Sequence, residues 1–164
     1  MIVLGIDPGT ATTGYGLVRE DGDGSLHLVA YGAITTPSDR SPTSRLHQLH
    51  LELGNLIQLH RPDTSAVEKL FFQRNVRTAL AVGQARGVIL LTLSQAGLEV
   101  VEYSPADVKL AVAGYGSAEK LQVQQMTRLL LDLPDIPRPD DAADALAIAI
   151  CHLYSSHYQE RIQQ

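Results

Sequence analysis

The distribution of apolar and polar residues divides the chain into two regimes. The first 36 residues carry short branched or aromatic runs separated by turn residues. Ile2 to Ile6 is an apolar run that ends at Asp7-Pro8-Gly9, which predicts a buried strand with Asp7 at its carboxyl end. Thr12 to Arg19 predicts a second strand. Asp21-Gly22-Asp23-Gly24 is a turn cluster, and Leu26 to Thr36 predicts a third strand. Three strands joined by tight turns imply an antiparallel meander. Helical periodicity then begins. Leu46, Leu49, Leu53 and Leu56 recur at three- and four-residue spacing after Ser41-Pro42, predicting an amphipathic helix that ends near His60-Arg61-Pro62.

Beyond it, strands and helices alternate. Ser65 to Phe72 predicts a strand, Thr78 to Ala96 a largely apolar helix stopped by Gly97, and Leu98 to Tyr103 another strand. Ser104-Pro105 is a cap followed by a first-turn proline. Gly114-Tyr115-Gly116 breaks the chain. Ser117 to Lys120 opens a helix to about Leu131, and Pro134, Pro137 and Pro139 mark a stiff connector. A last helix is predicted from about Asp141 to Ser156, with a polar tail from about residue 157. The order β-β-β-α-β-α-β-α-α-α implies an α/β domain over residues 1–164: a mixed sheet, antiparallel meander plus parallel strands, flanked by helices.

Composition narrows the classes. With 164 residues, 45% hydrophobic and 19% charged, the chain has ordinary globular proportions. No apolar run approaches the roughly 18–20 residues that span a bilayer. The opening Met1 to Gly5 reads as a strand rather than a leader. Cys151 is the sole cysteine and lies in an apolar stretch, so it reads as a core residue in a reducing, cytoplasmic setting. The net charge of −5 argues at first against nucleic acid, but residues 69–120 hold six basic groups against four acidic ones. The deficit lies elsewhere, in part in carboxylates that a bound cation would offset.

Those carboxylates are the candidate chemistry. Asp7 follows a buried strand, and Glu68 interrupts an apolar one, where an unpaired charge is costly. Asp140, Asp141 and Asp144 open the last helix, with Asp141 and Asp144 on one face. Converging from three segments, such oxygen ligands suit Mg²⁺ or Mn²⁺. Each also has an ordinary explanation. Aspartates cap helices, so on spacing alone Asp140 to Asp144 reads as a cap before it reads as a site. Asp7 alone is equally a turn initiator, and Glu68 alone a solvent-facing strand residue. The six histidines form no ligand pattern; His47 and His50 share a helix face and read as solvated.

Five segments carry a wider resemblance. Gly5-Ile6-Asp7-Pro8-Gly9-Thr10 with Thr13-Gly14-Tyr15-Gly16, Ala66-Val67-Glu68 with Phe71, Gly83-Gln84-Ala85-Arg86-Gly87-Val88, Gly114-Tyr115-Gly116-Ser117-Ala118-Glu119-Lys120, and Asp141-Ala142-Ala143-Asp144-Ala145-Leu146-Ala147-Ile148-Ala149 resemble, in order, the motifs of RuvC-type Holliday-junction resolvases from residue 2 to about residue 153. The resemblance implies a ribonuclease-H-like fold. It also implies a homodimeric endonuclease that cuts four-way DNA junctions by paired nicks, in recombination and repair. It selects Asp7, Glu68, Asp141 and Asp144 as catalytic and metal-binding residues and leaves Asp140 as the cap. Two Mg²⁺ ions per site, or Mn²⁺ in their place, would activate water and stabilise the departing 3′ oxygen, with Asp7 bridging. It places Lys109 and Lys120 near the scissile phosphate, Arg74 and Asn75 on the DNA backbone, and Phe71 against an unpaired base. The expected partner is the RuvA–RuvB branch-migration complex, and no membrane is involved. The small residues Gly83, Ala85 and Gly87 allow close packing, either on the chain's own sheet or on a dimer mate.

Rival classes fit less of the chain. A related RNA-processing nuclease shares the opening motif but not the Gly-Tyr-Gly-Ser-Ala-Glu-Lys or Asp-Ala-Ala-Asp segments. An actin-like ATPase needs two such domains. A junction-binding module without cleavage leaves four acids facing phosphate without purpose. Neither a dinucleotide fingerprint nor a Walker A motif is present.

Overall fold

The computed structural model describes residues 1–9, 11–69 and 76–162. The elements are β1 (Ile2–Asp7), β2 (Thr12–Glu20), β3 (Leu26–Thr35), α1 (Pro42–His60), β4 (Thr64–Glu68), α2 (Val76–Gln95), β5 (Val100–Tyr103), α3 (Pro105–Ala113), α4 (Lys120–Leu130) and α5 (Asp140–Ile162). The strands form one sheet in the order β3-β2-β1-β4-β5. The β1–β2 and β2–β3 pairs are antiparallel, and the β1–β4 and β4–β5 pairs are parallel. This is the mixed sheet predicted from the element order.

Strand alternation sends side chains into two cores. Leu4 and Ile6 of β1 and Val67 of β4 face α1 and α2, joining Leu49, Leu53, Ile89 and Leu93. Val3 of β1 and Ala66 of β4 face the opposite way, joining Val108, Val123, Leu146 and Ile150 from α3, α4 and α5. Both faces are therefore covered, which explains the continuous apolar run of β1 and the burial even of Thr64 and Ser65 in β4. Helix α5 is buried around most of its circumference, from Ala142 to Leu153, because the sheet covers one side and α3 and α4 the other. Cys151 sits in this core, where burial pushes its thiol up to about 12.

The capping signals act as expected. Ser41 accepts a bond from the Ser44 amide ahead of Pro42. Ser104 and Asp107 form a reciprocal capping box at α3. Other boundaries differ from the sequence pattern. β4 ends at Glu68, not Phe72, so Glu68 is the strand's last residue rather than an interior one. A parallel strand extends only as far as its partner, and β5 ends at Tyr103, where Ser104-Pro105 starts a helix. β5 starts at Val100 rather than Leu98 because the Leu98 amide closes back onto the Leu93 carbonyl through a left-handed Gly97. α4 begins at Lys120, since Ala118 is packed in the core and Glu119 and Gln122 form the capping box. α5 runs to Ile162, beyond Ser156 and through the polar tail, and His157 bonds the buried Glu20 at 2.6 Å. His50 is not a purely solvated group: its Nδ1 lies 2.8 Å from the Thr92 hydroxyl and ties α1 to α2.

Candidate active site

Strand parity explains where the first two acids point. Asp7 shares the orientation of Val3 and Gly5, and Glu68 that of Thr64 and Ala66. Both therefore face α5, one step beyond the Ile6–Val67 register pair, at the carboxyl ends of adjacent parallel strands. That is the end of an α/β sheet at which ligands ordinarily bind.

Glycine brings the other two acids to the same edge. Asp7 is paired across the β1–β2 ladder with Gly14. A Cβ built on Gly14 would lie 2.0 Å from the Asp141 carbonyl oxygen, and one on Gly5 would lie 2.1 Å from the Ala145 carbonyl oxygen. The α5 backbone therefore lies directly on the sheet, with Ala142, Ala145 and Ala149 as its small contact residues. Its N-terminal end, carrying Asp141 and Asp144, is set beside Asp7. In the sequence these glycines stand only within predicted strands and the opening motif; their alternation opposite an alanine-rich helix is the signal for close packing.

The acids act on one another. Burial is the main cause that pushes Asp7 up, to about 8, and the charges of Glu68, Asp144 and Asp141 add to it against the opposing Lys120. Glu68 is also raised, by burial and then by Asp144, while a hydrogen bond from Asp7 and the Lys120 charge pull the other way. Asp144 is raised by burial, with Lys120 opposing. Without a cation the cluster thus retains a proton at Asp7, shared with Glu68. Among the described residues no three acidic, histidine or cysteine side chains are placed closely enough to hold a metal ion together. The cluster is open, and its donors are hard carboxylate oxygens of the kind that Mg²⁺ and Mn²⁺ prefer.

Lys120, the first residue of α4, donates to Asp144 at 2.8 Å and lies 3.7 Å from Asp140. Its burial lowers its proton affinity, but the Asp144 bond and the Asp140 and Asp7 charges raise it further, so the net direction is up. These acids also offset the unfavourable helix dipole at its position. Asp140 pairs with Arg138 as well as Lys120, so it belongs to a surface ion-pair group beside the site. Lys109 is half-buried on α3 and lines, with Glu68, Lys120 and Asp144, a cleft of about 240 Å³ between α3, α4 and α5. Phe71, Arg74 and Asn75 lie outside the described residues.

A model of the RuvC family of crossover junction endodeoxyribonucleases matches residues 3–152. The chain belongs to the RuvC family. A crossover junction endodeoxyribonuclease RuvC of Chloroflexus aggregans is 60% identical over 161 residues, covering 98% of each chain. One from Heliobacterium modesticaldum is 59% identical over 155 residues, covering 94% of this chain and 95% of the relative. The structure of Thermus thermophilus RuvC superposes with a TM-score of 0.90 at 37% identity, covering 97% of both chains. T. thermophilus RuvC in complex with Holliday junction substrate superposes at 0.88 with 34% identity, covering 96% of both. The ribonuclease-H-like fold and metal-dependent nuclease class that the sequence motifs imply are those of this RuvC-family chain.

Proposed function

We propose that this RuvC-family chain resolves four-way DNA junctions by paired, symmetric, metal-dependent phosphodiester hydrolysis, leaving 5′-phosphate and 3′-hydroxyl ends in recombination and repair. The observation that carries the reading is the convergence of Asp7, Glu68, Asp141 and Asp144 at one sheet edge, with Asp7 pushed up to about 8. Four acids that repel one another in an enzyme acting on phosphodiesters are accounted for by cations held between them and the DNA. Mg²⁺, with Mn²⁺ as a substitute, is the proposed cofactor; a pair of ions held by these four residues would supply an activated water and charge to stabilise the departing 3′ oxygen.

The remaining residues bind and orient. Lys109 has no ion-pair partner among the described residues, so its ammonium is available to a phosphate oxygen of the cut strand. Lys120 donates to Asp144, opposing the rise that burial gives its carboxyl, and adds positive charge to the cleft. Phe71, Arg74 and Asn75 are proposed DNA contacts on the strength of the family motif alone.

Residues 1–164 are proposed as one nuclease domain that works as a homodimer, since two matched cuts require two sites in two-fold relation. Helix α2 supports this. Ala85, Ile89 and Leu93 face the core, whereas Leu80 is 65% exposed and Leu91 56% exposed on the other side. Between those two leucines, a Cβ on Gly83 or Gly87 would meet nothing within 4 Å. The close packing that these small residues allow is thus available to a second copy and not used by the chain's own sheet. Partnership with the RuvA–RuvB complex is proposed from family membership. No helix among the described residues is long and apolar enough to cross a membrane. Residence in the cytoplasm is proposed from action on DNA and from a lone cysteine suited to a reducing compartment.

The test is cleavage of a synthetic mobile four-way junction in Mg²⁺, Mn²⁺ or EDTA. Paired opposing nicks that need metal and vanish in Asp7→Asn, with junction binding retained, are the expected result. Tight binding without cuts in any metal would leave a binding module in place of the enzyme. Preferential cutting of RNA would move the assignment to an RNA-processing nuclease of similar fold.

A further inference from the structure

The cleft beside the four acids has a second character that phosphate chemistry does not use. Its lining is charged in part, with Glu68, Asp144, Lys109 and Lys120, and aliphatic in the rest. Val108 of α3, Val123 of α4 and Ile148 of α5 supply the aliphatic part, each from a different helix. These residues are nearly buried yet still border open volume, so the three helices meet without closing the space between them. At about 240 Å³, the cleft falls just below the roughly 300–1,000 Å³ of ordinary small-molecule pockets. It fits one flat heterocycle and is too small for a peptide segment. Metal ions and phosphates are hydrated anions and cations that gain nothing from an aliphatic wall. A group that is apolar on its faces and flanked by phosphates gains from both parts.

We infer that this cleft receives one unstacked nucleobase of the cut strand, next to the scissile phosphate, with Lys109 and Lys120 on the flanking phosphates. The inference rests on the junction-cutting reading and adds to it a base-accepting pocket, walled by Val108, Val123 and Ile148, that selects where the strand is cut. The physical basis is the one by which enzymes read an extruded base: unstacking is offset by apolar contact on its faces. Bases at a junction crossover are already partly unstacked, so the offset needed there is small.

The first test needs no protein variant. Junctions of one fixed sequence carry a tetrahydrofuran nucleotide, which keeps the sugar and removes the base, at each position flanking the cut. Loss of one base contact of this kind is expected to lower kcat/KM by about 5- to 100-fold at a single position and to leave the others within about twofold. The same scan with Val123→Phe, which fills the cleft, is expected to show slow cutting of the intact junction and no further loss at that position. Val108→Leu is the smaller-volume second variant, and circular dichroism of both establishes that they fold. The binding readout uses 2-aminopurine at the sensitive position, in EDTA. Its emission is expected to change on binding wild type, and that change is expected to shrink in the filled variants at saturating protein. Cutting of the intact junction with no base-sensitive position would overturn the pocket alone. So would a sensitive position whose response is identical in wild type and both folded, filled variants. Failure of wild type to cut the unmodified junction would overturn the underlying function as well.

Discussion

Replacing Asp7 by asparagine is expected to stabilise the metal-free protein even as it abolishes cutting. The folded environment moves the Asp7 carboxyl from 3.8 to about 8, chiefly by burial and then by the neighbouring Glu68, Asp144 and Asp141 charges. An acid whose folded value is raised destabilises the fold once the unfolded chain ionises it. That penalty is absent below 3.8, grows as pH rises, and is complete above about 8. At about 1.36 kcal/mol per pH unit, the interval from 3.8 up to the assay pH sets an upper bound of about 5 kcal/mol. Water at the partly exposed side chain and the responding Lys120 charge screen part of it, leaving roughly 1–3 kcal/mol. For a domain of this size each kcal/mol moves Tm by about 2–4 °C, so Asp7→Asn is expected to melt roughly 3–10 °C higher at pH 7.5 in EDTA. Thermal unfolding followed by circular dichroism between pH 5 and 8 measures this, and the chain's lack of tryptophan makes that probe the natural one. The gap is expected to narrow toward pH 5. It is also expected to shrink in Mg²⁺, because a cation bound only by the folded wild type raises wild-type stability. An Asp7→Asn protein no more stable than wild type at pH 7.5 in EDTA, or a gap that does not vary with pH, would refute the picture of a strained carboxylate cluster.

Other expectations follow from the same geometry. Lys109→Ala is expected to lower kcat on junctions by about 10- to 100-fold while changing metal-free junction binding by less than about fivefold, as single-turnover cleavage and gel-shift titration would report. Gly14→Ala places a methyl 2.0 Å from the Asp141 carbonyl, so α5 must shift. A loss of about 2–4 kcal/mol in chemical denaturation is expected, together with loss of cutting, and a neutral result would contradict the close helix–sheet contact. Leu80→Glu combined with Leu91→Glu is expected to give a folded monomer by light scattering, with single nicks replacing paired ones. An unchanged dimer would place the interface elsewhere.

Much of the architecture was legible in the linear pattern because burial is written there directly. The run at Ile2 to Ile6 is apolar because both sheet faces are covered, and Ser41-Pro42 and Ser104-Pro105 mark helix starts through local hydrogen bonding. Boundaries set by distant partners were not legible. β4 stops at Glu68 because β5 stops at Tyr103, and no local feature of Lys69 to Phe72 announces it. The tail after Ser156 is polar in sequence and still helical to Ile162, since it continues a helix that is anchored by its buried length.

The candidate site divides along the same line. Sequence determined which acids were available: the motifs singled out Asp7, Glu68, Asp141 and Asp144, and helical spacing put the last two on one face. Only the tertiary structure decided that Asp7 and Glu68 point toward α5, through strand parity across a parallel pair. It also decided that Gly5 and Gly14 let that helix rest against the sheet, and that Asp144 is held by Lys120 while Lys109, without an ion-pair partner among the described residues, lines a partly aliphatic cleft. The physical reason is range. Capping, turn and periodicity signals act over a few residues, so one chain segment carries them. Burial, mutual charge repulsion and backbone contact act between segments more than 60 residues apart and come into being only when the fold brings those segments together.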